Sequence, residues 1–525
     1  MNAGKNPHAG WTFTEMWTPR QPAWGFFPAF MNYVSRNQLL LQTGVPKVDL
    51  AFYAYRSPWV VQDGYQHPNL QQKGYTYEYI GPSGLTSDEA VVEDGRLAPE
   101  GPAYKALVIY NQTVISPAAA VQLRHFARDG LPLVFVGSRN LTSIGAREGD
   151  DARVEAVMHE LHTGNLENVF FVQSADALPA VLEKIGLRPN TALTADADGW
   201  YSFRRSSEDG DLVWLYNDGE EEDKTRSPVE VVFSNTAQTP FILDAWSGDV
   251  IPAVQYERVD DDIVMPVSLT ANGTTTRFFK EHTSGLSLPT PPDLSVTSIS
   301  GSVADVFYRP GSHPRISASL LSGAANISLS SGNSKHFQAT PPEKTALEKW
   351  NLEIEDWHRG QDPHNVSTVK ETHRYANVSL APWNKIDRAL SNVSGRGIYT
   401  AQFSIPTVSA GRTLGARLHL GPVKDTARVY LDDNVLPALI LSHEEDVLVD
   451  LTRYLLDGVN STELMQLKVE LASTLFNRIQ SEVNITRSMA APPNIAQPIY
   501  EEDPPEQYGL EGPVWIEWME VVDVV

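Results

Sequence analysis

Residues 106–136 read ALVIYNQTVISPAAAVQLRHFARDGLPLVFV. Ala106–Tyr110 is a short continuous apolar run, the length of a buried strand rather than a helix. Ser116 can cap a helix, and Pro117 fits its first turn. The helical pattern runs to Asp129, and Gly130 can end it. Leu133–Val136 is the next strand. Two such strands joined through one helix lie parallel, with a right-handed crossover. The same alternation continues on both sides. Residues 47–53 (KVDLAFY) and Val169–Val172 have strand character, and residues 152–162 and 175–185 have helical spacing.

Four strand signals are too few for an eightfold barrel. Residues 45–190 therefore read as a flavodoxin- or amidotransferase-like α/β sandwich. Beyond about residue 195 the helical period disappears. Residues 201–205, 211–216, 229–233 and 241–245 are short strands between turn residues, a small β-sandwich over 191–285. Residues 281–300 (EHTSGLSLPTPPDLSVTSIS) are rich in Ser, Thr and Pro and read as a linker or crossing segment. Alternation returns in ARLHLG and ARVYLD, and residues 286–525 read as a larger all-β jelly roll. Upstream, residues 24–42 predict a helix, with Phe27, Phe30, Met31, Val34 and Leu41 at helical spacing. Gly44 can supply its left-handed cap, and Pro46 bars continuation. The fold class is thus multidomain, α/β plus all-β.

The 525 residues carry 41 Lys and Arg against 65 Asp and Glu, a net charge of −24. That field repels phosphate, which argues against nucleic acid and anionic membrane as partners. There is no cysteine. Disulfides, thiolate nucleophiles, thiolate zinc sites and iron–sulfur clusters are excluded, and an amidotransferase activity with them. No apolar run reaches the length of a membrane span. Nine Asn-x-Ser/Thr sequons occur, at Asn111, Asn140, Asn272, Asn326, Asn365, Asn377, Asn392, Asn460 and Asn484. They point to an extracellular glycoprotein. No apolar run follows Met1 to serve as a signal peptide, so the expectation is a chain lacking its true N-terminus.

The common catalytic signatures are missing: no G-x-S-x-G, no phosphate loop, no H-E-x-x-H. His159 and His162 sit three apart and read as a solvated helix face. Asp260, Asp261 and Asp262 read as a turn tip, and no metal site is expected. What remains is carboxylates among aromatics. Glu15 lies in WTFTEMWTPRQPAW with Trp17 and Trp24, and Glu78 lies in GYTYEY with Tyr75 and Tyr77. Glycosidases cleave between paired carboxyl groups, and flat rings bind sugars, so Glu15 and Glu78 are candidate catalytic groups. Trp17, Trp24, Tyr75 and Tyr77 are the candidate substrate contacts.

The order of segments resembles the α-L-rhamnosidases of glycoside hydrolase family 106. Tyr33–Gly44 (YVSRNQLLLQTG) follows the family helix Y-L-x-R-x-Q-x-L-L-Q-x-G, and VPKVDLAFYAY follows its next strand. GYTYEYI stands for G-Y-D-Y-D-Y-I. FRRSSEDGDLVWLYND, with Arg204, Arg205, Asp211 and Asn217 in register, resembles R-R-x-x-x-G-x-D-I-Y-F-V-x-N. PFILDAWSGDVIPA resembles the family's D-P-x-T-G turn. The C-terminal unit resembles the sugar-binding, galactose-binding-like jelly roll of family 2 glycosidases: SGRGIY (394–399), LHLGPVKDTARVYLDDNVLP (418–437) and YGLEGPV (508–514) stand at its motifs.

The resemblance implies a glycosidase acting on rhamnosides such as pectic glycans. It implies that residues 1–44 are the end of a (β/α)8 catalytic barrel whose remainder, with the general acid, lies outside this sequence. No cofactor is expected of this chain; calcium is an expectation only for complete members. Thr76 stands where the family has Asp, and the W-W-E-Q glutamate has no counterpart near Trp17. The alternative reading is a non-catalytic carbohydrate-binding or scaffold protein.

Overall fold

The computed structural model describes residues 18–55, 64–137, 140–145, 147–164, 166–194, 199–219, 228–234, 236, 238–362, 367–432, 434–443, 445–456, 464–482 and 504–525. A five-stranded parallel sheet runs in the order Tyr77–Ile80, Leu50–Tyr53, Ala106–Tyr110, Leu133–Val136, Val169–Val172. In chain order this is 2-1-3-4-5, the flavodoxin-like doubly wound arrangement. Alternate residues pack on opposite faces. Ala51, Leu107, Ile109 and Phe135 meet the helices Pro117–Arg128 and Asp150–Thr163. Leu50, Phe52, Val108 and Val134 meet the helix Leu178–Lys184. A strand covered on both faces reads as an unbroken apolar run, which is why ALVIY and LVFV stood out. Ser116 caps its helix as expected, its hydroxyl accepting from Ala119 N at 3.2 Å.

The strand Tyr77–Ile80, second in chain order, lies at the sheet edge, within the stretch read above for its carboxylate and aromatics. The KVDLAFY run is divided. Val45–Lys47 pairs antiparallel with Arg204–Ser206 in the β-sandwich, and only Leu50–Tyr53 enters the parallel sheet. The start of the α/β unit therefore falls after Lys47 rather than at 45. Asp49, at the crossing, is fully buried and accepts from Lys105 Nζ, Thr76 N, Thr76 Oγ1 and Asn190 N. Four donors and one opposing charge make its burial tolerable.

The sandwich has a six-stranded sheet, built on Trp200–Ser207, Gly210–Asn217 and Thr274–Lys280, facing a four-stranded one. Val213, Leu215 and Phe279 meet Val231, Phe233 and Met265 between them. The chain from Val296 to Asp523 forms two seven-stranded antiparallel sheets. They share one core in which Trp350, Tyr399 and Phe403 face Ala416, Leu418 and Trp518. The expected linker is shorter than its composition suggested: a 14-residue strand, Val296–Arg309, begins inside it. Ser and Thr alternate there with Val and Ile, so the segment is polar in composition yet extended in pattern.

Candidate functional site

The helix Phe27–Gln42 follows a single 3-10 turn, Pro22–Phe26, and lies between the sandwich and the C-terminal sheets. Its polar side docks. Arg36 Nη1 donates to Ala245 O at 2.9 Å and Trp246 O at 2.8 Å. Tyr33 stacks on Trp246, centroids 4.2 Å apart, and its hydroxyl meets Thr274 Oγ1. Asn37 Oδ1 accepts from Trp214 Nε1 at 3.0 Å, and Asn37 is the one helix residue that is fully buried. Arg205 donates to Thr43 O and Gly44 O just beyond the helix end, where Gly44 has φ +67°.

The partner turn is built to receive Arg36. Asp244 accepts from Trp246 N and Ser247 Oγ, closing the turn on itself. Gly248 sits at φ +85°, and a Cβ there would lie 3.0 Å from Arg36 Nε. Two motifs distant in sequence, the helix Y-x-x-R and the D-A-W-S-G turn, are thus one clamp. A cavity of about 120 Å³ remains between Tyr33, Asn37, Trp246, Asp244 and Thr274–Thr276. It is aromatic and hydroxyl-lined, but both Asp244 oxygens are engaged, so it presents no free acid or base.

The candidate residues are scattered. Glu15 and Trp17 lie outside the described residues. Trp24 is half-buried and stacks on Phe27 at 4.8 Å. Neighbouring Phe26 is buried beneath the guanidiniums of Arg396 and Arg428. Glu78 is exposed on the sheet edge and accepts from Tyr104 OH at 2.8 Å. Tyr75 is buried, its hydroxyl donating to Leu187 O. Tyr77 packs in a cluster with Phe52, Tyr65 and Tyr79. Tyr75 is therefore a packing residue, whereas Tyr77 is half-buried. Arg204, Asp211 and Asn217 are structural as well: Arg204 pairs with Asp211 and donates to Ser234 O, and Asn217 donates to Leu269 O.

Among the described residues no group of three or more His, Asp or Glu is placed to hold a metal. No described helix is long and apolar enough to cross a membrane. Of the sequons, Asn111, Asn140, Asn272, Asn377 and Asn392 are exposed. Asn326 is half-buried in mid-sheet, between Ser300 and His336. Asn365, Asn460 and Asn484 lie outside the described residues.

The α-L-rhamnosidase family model, glycoside hydrolase 106, matches residues 3–258. This chain is glycoside hydrolase 106-like. A solved rhamnosidase from Novosphingobium sp. PP1Y has the same fold, with a TM-score of 0.62 at 19% identity. The likeness covers 97% of this family 106-like chain and 42% of that protein. A putative beta-glucuronidase of Formosa agariphila is 25% identical over 251 residues, 47% of this chain and 20% of that protein. The family 106-like chain thus spans less than half the length of either. These matches do not favour the non-catalytic alternative.

Proposed function

We propose that this chain forms the non-barrel part of an α-L-rhamnosidase-type glycoside hydrolase acting on rhamnose-bearing plant glycans. The observation that carries this reading is the family match over residues 3–258. The geometry supports it. The apolar side of the first helix is only partly covered: Phe30 packs beside Leu439 and Ala472 and Leu40 beside Phe241 and Phe278, but Phe27, Val34 and Leu41 are only half-buried, and Met31 and Leu39 are 39% and 67% exposed. The uncovered apolar side chains, Met31 and Leu39 foremost, are open to another element, in this reading the catalytic barrel. The chain is proposed to be extracellular and N-glycosylated, in keeping with the five exposed sequons. Glu78 is retained as a candidate carboxylate because it is solvent-accessible; its contact is a tyrosine, not a second carboxyl group.

Inverting hydrolysis needs an acid and a base about 6.5–9.5 Å apart across the bond, and retaining hydrolysis an even closer pair. This chain alone is therefore expected to release no rhamnose from an aryl α-L-rhamnoside, and the same chain joined to a family barrel to release it. Turnover by the chain alone at ordinary enzyme rates, about 1–1,000 s⁻¹, would overturn the dependence on a barrel. A joined protein that cleaves other glycosides but no rhamnoside would overturn the sugar.

A further inference from the structure

A second cavity, of about 290 Å³, opens where the α/β unit meets the β-sandwich. Its wall holds three cations, Lys47, Arg96 and Arg204, in a chain whose net charge is −24. Lys105 stands close enough for Arg96 and Arg204 to depress its pKa, after the larger effect of burial. The opposing carboxylates are Asp49, Asp211 and Glu100. Asp49 is committed to Lys105, and Asp211 to Arg204. Lys47 and Arg96 are left without a carboxylate in an ion pair among the described residues, and the lining itself holds no acidic residue.

Those two cations are not satisfied by anions. Lys47 Nζ donates to two neutral carbonyls, Gly101 O at 2.7 Å and Pro99 O at 3.2 Å, and has a third proton to offer. Arg96 is exposed, and although its backbone pairs with Glu93 its guanidinium has no hydrogen-bond or ion-pair partner among the described residues. Burial lowers the Lys47 pKa, Glu100 and Asp211 oppose that, and Arg96 and Arg204 add to it. The rest of the wall is mixed. Pro102 and Ala103 supply an apolar side. Asn190 spends its backbone N–H on Asp49 and its carbonyl on Arg204, leaving its amide side chain for hydroxyl groups. The wall loop is also strained: Ala98 and Ala103 hold φ +52° and +55°, a region alanine rarely occupies. Strain of this kind persists where surrounding structure enforces it, and it concentrates at functional sites.

We infer that this cleft binds the carboxylate of an acidic sugar, a hexuronate unit, with Arg96 as its bidentate partner and Lys47 beside it. Two cations outside any ion pair suit a single carboxylate, and the chain's wider negative field discourages more highly charged anions. A guanidinium fork matches a carboxylate in two parallel hydrogen bonds. The choice of a sugar, as distinct from any carboxylate, rests on the carbohydrate reading above. A junction between two folded units is a common place for such a pocket.

The test titrates the whole chain at low ionic strength with glucuronate and galacturonate, and with glucose and galactose as neutral counterparts, by calorimetry or NMR. Uronate binding with Kd on the order of 1 mM is expected, with none for the hexoses. Arg96→Ser should weaken it about tenfold, and Arg96→Glu should abolish it. The Arg96 guanidinium has no partner to lose, so folding should be unaffected; Arg315→Ser, in an exposed pair on a different sheet, is the control. Equal binding of uronate and hexose, no uronate binding, or an unaltered Arg96→Ser variant would overturn the site. Sulfate or acetate competing as well as uronate would show a plain anion site and overturn the sugar. Rhamnoside hydrolysis by the joined protein is a separate measurement, so either reading can fail while the other stands.

Discussion

Asp425 is the most perturbed carboxyl group for which a cause is plain. It is buried on the strand Val423–Leu431, and one oxygen accepts from Gly509 N at 3.1 Å. Its pKa is pushed up to about 8, chiefly by burial, with Glu506 and Glu511 adding to the rise and the Gly509 bond and Lys424 offsetting part of it. Unfolded, the group titrates near 3.9. The folded chain therefore holds a proton that the unfolded chain gives up across this window. Stability from this group is complete below about pH 4 and is lost as pH rises through about 8. Asp425→Asn keeps the shape and removes the titration. The variant's melting temperature is expected to fall less between pH 5 and pH 9 than the parent's, in a thermal-shift series. Superimposable pH slopes would show that Asp425 ionises without cost. No feature of the string VKDTARVYL (423–431) marks this residue; the alternation puts Asp425 on the inner side, but only the packing shows how fully it is buried.

At the scale of elements, the clamp between the helix Phe27–Gln42 and the turn 244–249 decides how the N-terminal helix is held. Arg36 closes two carbonyls, and Gly248 leaves it the room. Arg36→Leu strands those carbonyls, and Gly248→Ala strains a positive φ and crowds the guanidinium. Each should cost about 1–3 kcal/mol in denaturant unfolding. Because both act on one contact, the double variant should cost clearly less than the two single losses added together. Strict additivity would mean the clamp is not a unit. The helix itself was legible from its spacing, but its docking side was not. The apolar stripe suggested a buried face, whereas Met31 and Leu39 are exposed and the polar Tyr33, Arg36 and Asn37 join Phe30 and Leu40 in the contacts. The strand Val296–Arg309 was missed because Ser, Gly and Ala carry little β signal; its pairing with Arg315–Leu329 across several register shifts holds it extended.

For the whole molecule, the charge of −24 spread over a folded chain is self-repulsive. Raising salt from about 10 to about 200 mM shortens the screening length from roughly 30 Å to under 10 Å. The melting temperature is expected to rise over that range, by a few degrees. A flat or falling curve would mean that local pairs such as Arg478–Asp356 and Lys105–Asp49 outweigh the general repulsion. The same field makes the cationic junction cleft conspicuous, since its cations come from Lys47, Arg96 and Arg204, far apart in sequence.

The sequence by itself determined what depends on near neighbours. Apolar runs bounded by turn residues defined the parallel strands, Ser116-Pro117 and Gly130 bounded a helix, and the loss of helical period marked the change to β structure. Motif order also led to the family. Tertiary structure alone decided what depends on distant groups meeting. It sent Val45–Lys47 to one sheet and Leu50–Tyr53 to another, because Asp49 is satisfied only between Lys105, Thr76 and Asn190. It buried Tyr75 and packed Tyr77 on Phe52, since an aromatic side chain reads the same in a string whether its face meets water or Phe52. It also joined Arg36 to a turn some two hundred residues away, because a hydrogen bond depends on distance in space and leaves no periodic trace along the chain.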